Sequence, residues 1–310
     1  MINKSRVFEV LPYFPTGLRE KLETIAKTNC FEIEEIRLRA NLPVALEIWG
    51  ENCFLTPTGG ITNYENNAYY ASAEEVQTTF SAICENSVYA YLDEIRQGFV
   101  TLKGGHRVGV CGRAVTENGA IRTFREVSSL NFRIAHQIIG VADGVIDSVI
   151  KNTEIESSLI ISPPQMGKTT LLRDLTRQIS NRGFKTAVAD DRGEIGAMYD
   201  GVIQNDIGAQ TDVMDNLPKS DAILMMIKTM SPRVIISDEI ADEKDVAAIR
   251  LAHGTGVSVI ATTHGDSIDD VRNRNVLKPL FEDRVFKMAI LLRRDTTGVE
   301  TVVYTKTVKL

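Results

Sequence analysis

The chain has 310 residues, 43% of them hydrophobic and 25% charged, and a formal net charge of −6. That length exceeds what one hydrophobic core usually serves, so two domains are expected, and the negative balance argues against a general electrostatic grip on nucleic acid while leaving room for a local basic groove. No stretch approaches the roughly 18 apolar residues of a membrane-spanning helix, and Lys4 and Arg6 are not followed by the apolar core of a signal peptide, so neither membrane crossing nor export is expected.

The four cysteines, Cys30, Cys53, Cys84 and Cys111, are scattered without a C-x-x-C pair or a histidine at metal-ligand spacing, which suits buried free thiols in a reducing cytoplasm. In the first 75 residues, Glu35–Arg39 and Pro43–Ile48 alternate as two strands joined near Asn41. From Ser72 to Tyr91 the spacing of Val76, Phe80, Ile83 and Val88 predicts one or two helices, opened by a capping box of Ser72 and Glu75. Gly98–Arg113 reads as a Gly-rich hairpin. Arg107, Arg113, Arg125 and Arg133 crowd the same region, either as a solvated basic face or as arginine fingers reaching a neighbouring subunit's phosphates. Val141, Val145 and Val149 suggest a helix within 140–157, and the domain boundary is set there: a small α+β domain over 1–140, a second domain over 141–310.

The second domain opens on a short apolar strand, Leu159–Ile161. It is followed by Ser162-Pro163-Pro164-Gln165-Met166-Gly167-Lys168-Thr169-Thr170 and by a helix whose inner stripe is Leu171, Leu172, Leu175 and Ile179. A strand, a turn ending in Gly-Lys-Thr and a helix make a P-loop. Backbone N–H groups and the positive end of the helix surround a polyphosphate, Lys168 reaches its terminal oxygens, and the Thr169 hydroxyl ligates Mg²⁺. Ser162 stands where glycine is usual, which is compatible with the turn if its φ stays negative. After a C-cap at Gly183, Phe184–Ala189 reads as a second strand delivering Asp190-Asp191-Arg192-Gly193-Glu194 to the sheet edge where ligands sit. Residues 196–219 read as loop, and Ser220 as the cap of a helix with Ala222, Ile223, Met226, Ile227 and Met230 on one face, the methionines filling core. Val234–Ile236 leads through Ser237 to Asp238-Glu239, a Walker B pattern in which Asp238 holds Mg²⁺ through water and Glu239 polarises the attacking water. Asp242 caps a helix ending at Gly254. The strand Val257–Ala261 then brings Thr262-Thr263-His264 to the same edge, where His264 is a candidate sensor of the γ-phosphate, and Val285–Leu292 with Gly298–Val308 forms a closing antiparallel hairpin.

These elements describe a RecA-like P-loop NTPase core, a mostly parallel sheet with flanking helices, preceded by the smaller α+β domain. The P-loop, the acidic block 190–194, the strand ending in Asp238-Glu239 and the Thr263-His264 pair resemble the Walker A, Asp box, Walker B and His box of secretion-type traffic ATPases. Glu35–Arg39, the Gly104-Gly105-His106-Arg107-Val108-Gly109 block, Thr211-Asp212-Val213 and Met230-Ser231-Pro232 extend the likeness over nearly the whole chain to the stage III sporulation protein AA family of spore-forming bacteria. Ser162, and Gln210 where a basic residue is expected, depart from that pattern. The resemblance implies an ATPase with ATP and Mg²⁺, assembled as a hexamer on the cytoplasmic face of the mother-cell membrane, powering an export-like channel of membrane-embedded sporulation proteins into the developing spore. Catalysis is expected from Glu239, Glu194 and His264, with Arg113 or Arg133 acting in trans. Two other readings compete: a RecA-like nucleic-acid translocase or binding module, which the charge balance disfavours, and a nucleotide switch without turnover, which Glu239 and His264 disfavour.

Overall fold

The computed structural model describes residues 6–27, 33–96, 98–117, 120–164, 166–294 and 299–305. Cys30, Gln165 and the turn residues 295–298 lie outside the described residues. Two compact units emerge, Met1–His136 and Gln137–Leu310.

In the first unit, helix α1 (Thr16–Lys27) precedes strands β1 (Ile33–Arg39), β2 (Ala45–Ile48), β3 (Glu51–Leu55) and β4 (Ile61–Thr62); helix α2 (Ala73–Ile83) precedes β5 (Phe99–Thr101), β6 (Arg107–Glu117) and β7 (Ala120–Arg133). The strands form one antiparallel sheet in the order β4-β3-β2-β1-β7-β6-β5. Period-two alternation decides its faces. Ile36, Leu38, Leu46, Val108, Val110, Leu130 and Phe132 are buried in one cluster with Leu18 and Leu22 of α1 and Val76 and Phe80 of α2. The expected capping box is formed, Ser72 Oγ accepting from the Glu75 N–H at 3.1 Å while Glu75 accepts from the Ser72 N–H at 2.8 Å. In the β6–β7 register Arg107 stands opposite Arg133 and Arg113 opposite Arg125. Like charges placed directly opposite destabilise a sheet, but Arg133 also faces Glu35 on β1 and Arg107 lies over the Phe99 ring at 5.2 Å. His106 is the block's structural member: fully buried, its Nδ1 accepts from the Ala135 N–H at 3.1 Å, which leaves Nε2 to donate to Glu9 at 3.0 Å.

The second unit is a three-layer sandwich. Its strands β8 (Ser158–Ser162), β9 (Thr186–Asp190), β10 (Thr211–Asp215), β11 (Val234–Ser237), β12 (Ser258–His264), β13 (Met288–Arg294) and β14 (Val299–Thr305) lie in the order β10-β9-β11-β12-β8-β13-β14. Every pairing is parallel except β13 with β14, the predicted hairpin. The central strands are apolar through their middles because both faces are covered, with polar residues only toward their ends. Ile160, Val188, Ile236 and Ile260 pack on helix α3 (Lys168–Asn181) through Leu171, Leu172, Leu175 and Ile179. Leu159, Ile161, Ala187, Ile235 and Val259 pack on the other face against helices α4 (Lys219–Thr229) and α5 (Glu243–Gly254).

Several expectations need correction. The helix expected within 140–157 shrinks to one turn, Ile146–Val149, followed by a small hairpin, Ile150–Lys151 with Glu154–Ile155. Asn152 and Thr153 form its turn at φ 47° and 67°, and this break overrides the valine spacing, burying Val145 and Val149 while leaving Val141 exposed. The stretch read as loop contains β10, an edge strand paired in parallel with β9. Helix α4 starts one residue before Ser220, with Pro218 at the cap and no side-chain capping bond. Met226 is core as expected, but Met230 is exposed. Cys53 and Cys84 are buried, whereas Cys111 is exposed on the β6–β7 hairpin.

Candidate active site

The parallel strands β8, β9, β11 and β12 end at one sheet edge, so their last residues converge. Ser162 closes β8, buried and in register with His264, the last residue of β12. Its φ is not positive, its Oγ donates to the Pro163 carbonyl at 2.6 Å, and its own carbonyl accepts the Gly265 N–H at 3.1 Å. A serine is therefore tolerated at the first loop position because extended backbone suits any residue there. The demand for glycine falls on Gly167, which caps α3 at φ 81° with open space where a Cβ would sit. Gly265 is needed for the opposite reason: a Cβ there would meet Val271 Cγ2 at 2.4 Å.

Lys168, Thr169 and Thr170 form the first turn of α3, with Lys168 8% exposed against the helix start. The unpaired N–H groups and the dipole of this turn favour an anion. Across the sheet edge, Thr169 Oγ1 donates to Asp238 Oδ2 at 2.8 Å. Thr262, fully buried on β12, donates its hydroxyl to Asp238 Oδ1, and the same oxygen accepts the Glu239 N–H at 2.9 Å. A hydroxyl and a carboxylate so placed are hard oxygen donors that fit Mg²⁺, which takes one or two protein oxygens and completes its shell with water and substrate phosphate.

Glu239 follows the strand at φ 33°, a conformation that costs a non-glycine residue about 1 kcal/mol or more. Its Oε2 accepts from Arg192 Nη1 at 3.0 Å, and its Oε1 lies 3.5 Å from His264 Nε2. The carboxylate is thus bracketed by a cation from the acidic block and an imidazole from β12. Lys219, 6% exposed, donates to the main-chain carbonyl of Asp238 at 3.0 Å and to that of Glu239.

The acidic block divides its work. Asp190 is buried and accepts from the N–H groups of Glu194 at 2.8 Å, Ile195 at 3.0 Å and Gly196 at 2.8 Å. Burial pushes its carboxyl above the ordinary range even though those three donors pull it down. Asp190 therefore shapes the turn rather than facing the phosphates. Glu194 is half-buried, and its carbonyl accepts from Arg173 Nη2 of α3 at 2.6 Å, which ties the block to the P-loop helix.

One edge of the second unit therefore gathers Ser162, Gly167, Lys168, Thr169, Asp238, Glu239 and His264. Arg113 and Arg133 belong to the first unit, where both are exposed on the β6–β7 hairpin. Lys219 and Thr262 were not among the residues that the sequence nominated. Thr262 carried a signal in its place beside Thr263-His264. Lys219 carried a fainter one: a lysine directly after Pro218 at a helix start, where the dipole disfavours a cation.

The model of a family described as sporulation stage III, protein AA matches residues 4–308. Stage III sporulation protein AA of Bacillus subtilis (strain 168) is 39% identical over 292 residues, spanning 92% of this chain and 91% of that protein. Among solved structures, the pilus retraction motor PilT with bound ADP is similar at a TM-score of 0.61 and 17% identity, over 93% of this chain and 83% of that one. The Legionella pneumophila ATPase DotB is similar at a TM-score of 0.58 and 16% identity, over 94% of this chain and 79% of that one. Likenesses at such identity speak for the fold, which is the expected P-loop NTPase core behind a smaller antiparallel-sheet domain.

Proposed function

The chain belongs to the sporulation stage III, protein AA family, and on that premise we propose that it is an ATPase whose hydrolysis of Mg-ATP powers a secretion-like channel complex during sporulation. The observation that carries the reading is the 2.8 Å bond from Thr169 to Asp238, which joins the end of the P-loop to the carboxylate pair that closes β11. A hydroxyl at a helix start, a glycine at φ 81°, a lysine beside it and a carboxylate pair sharing one sheet edge match the parts that phosphoryl transfer to water uses to hold phosphate, Mg²⁺ and the attacking water.

In this reading Lys168 and the N–H groups of the first turn of α3 bind the β- and γ-phosphates. Thr169 and Asp238 would hold Mg²⁺, which when bound neutralises charge on the phosphates. Glu239 orients the attacking water and accepts its proton. Arg192 pairs with Glu239 at 3.0 Å, and when substrate enters the γ-phosphate competes with Glu239 for that guanidinium. His264, 3.5 Å from Glu239, is placed to report on the same exchange. Glu194 acts through the shape of the block that carries Arg192.

Arg113 and Arg133 would complete a neighbour's site in a homo-oligomeric ring, probed below. The ring, a hexamer in this account, would dock on membrane-embedded channel proteins at the cytoplasmic face of the mother-cell membrane. Among the described residues no helix is long and apolar enough to cross a membrane itself.

The test is Lys168→Ala. Its charge serves the phosphate, so the variant should keep its fold by circular dichroism and lose ATP binding or turnover. Unchanged turnover in a folded variant would sink the assignment.

A further inference from the structure

Lys219 is placed against its own preferences. It is 6% exposed although lysine is a costly side chain to bury, and it is the first residue of α4, at the helix end that repels a cation. What it gains is specific: its Nζ donates to the carbonyls of Asp238, at 3.0 Å, and Glu239, and stands 3.8 Å from Asp191 Oδ1. We propose that Lys219 is a positioning residue that clamps the Asp238–Glu239 turn in its strained conformation, so that the Glu239 carboxylate is aimed at the attacking water; the inference rests on reading Glu239 as the catalytic base.

The two ends of Glu239 are held differently. Its N–H is fixed by Asp238 Oδ1 at 2.9 Å and Thr262 Oγ1 at 2.8 Å. Its carbonyl is turned, together with the one before it, onto a single ammonium. Two carbonyl dipoles aimed at one point repel each other, and the lysine charge is what makes that arrangement favourable. Without it Glu239 relaxes from φ 33° to an ordinary negative value, and its carboxylate swings away from Arg192 and His264. The loop of Gly167, Lys168 and Thr169 belongs to β8 and α3, and Lys219 touches Asp238 only at its main-chain carbonyl, while the carboxylate that would hold Mg²⁺ is fixed separately by Thr169 and Thr262. The clamp should therefore govern the chemical step and spare the affinity.

The experiment compares Lys219→Met, Lys219→Gln and Lys219→Arg with the parent chain and with Glu239→Gln. Each is measured for ATP turnover at saturation and for equilibrium binding of a fluorescent ATP analogue. Loss of the charge should lower kcat by about tenfold to a hundredfold, the scale for a misplaced catalytic group, with affinity within about twofold. Lys219→Arg should recover part of the loss. In a Glu239→Gln background Lys219→Met should cost little further, because the carboxylate that the clamp aims is already gone. Affinity falling in step with kcat, an equal further loss in the Glu239→Gln background, or failure of all three variants to fold would overturn the proposal and leave Lys219 a support of the fold alone. Full turnover in Glu239→Gln would instead sink the reading of Glu239, whatever Lys219 does.

Discussion

Glu239 shows at the scale of one residue how a local rule is broken at the proposed site. Its positive φ is unfavourable for a residue with a Cβ, and Asp238, Thr262 and Lys219 together over-determine it. His106 shows the same logic without a catalytic role. Burial is the main influence on its imidazole and holds it below the ordinary histidine range, against the hydrogen bond it donates to Glu9, which would raise it. The unfolded chain therefore takes up the proton first. The stability His106 lends is complete above about pH 6.5 and is lost as pH falls below that value. The melting temperature should drop between pH 7.5 and 5.5, and His106→Gln should flatten that dependence; an equal slope in the variant would show that another group carries it. Much of the site was legible residue by residue, since Lys168, Thr169, Asp238, Glu239 and His264 lie in recognisable runs at strand ends. Lys219 was not, because its place comes from a contact across 19 residues of chain that no local pattern encodes.

At the scale of elements, the strands that carry the site were readable because a strand buried on both faces is apolar throughout, as Leu159–Ile161 and Val234–Ile236 are. Edge strand β10 escaped for the converse reason. Thr211–Asp215 pairs only with β9 among the described residues, carries three polar residues in five, and reads as loop until that pairing is seen. Caps were legible where a side chain makes them: Ser72 on α2, and Asp242 on α5, which accepts from Lys244 at 2.8 Å and Asp245 at 3.0 Å. They were misread at α4, where Pro218 ends the preceding segment and no side chain caps the helix. Ser72→Ala should remove the capping box and cost about 1 kcal/mol of stability in urea melts. A change below about 0.3 kcal/mol would mean that tertiary packing alone holds α2.

For the whole molecule, the net charge of −6 hides a local concentration of arginine on the first unit, with Arg107 facing Arg133 and Arg113 facing Arg125 across one hairpin. In the proposed ring the exposed Arg113 and Arg133 would meet the nucleotide of an adjacent subunit, and an arginine supplied in trans accelerates phosphoryl transfer by roughly a thousandfold or more. Specific activity should then rise steeply with protein concentration. Mixing Arg133→Ala or Arg113→Ala chains with Lys168→Ala chains should recover part of the activity, because one mixed interface keeps both elements intact. Activity per chain that stays flat on dilution, with no recovery on mixing, would leave these arginines a solvated face. Beneath assembly lies the claim that the edge formed by β8, β11 and β12 hydrolyses ATP with Glu239 as its base. The most direct measurement sets single-turnover hydrolysis of Mg-ATP beside equilibrium Mg-ATP binding, in the parent chain and in Glu239→Gln. Binding should be unchanged and hydrolysis slower by about a hundredfold or more; hydrolysis at the parental rate in the variant, with Glu194→Gln alone abolishing it, would show that Glu239 is not the base.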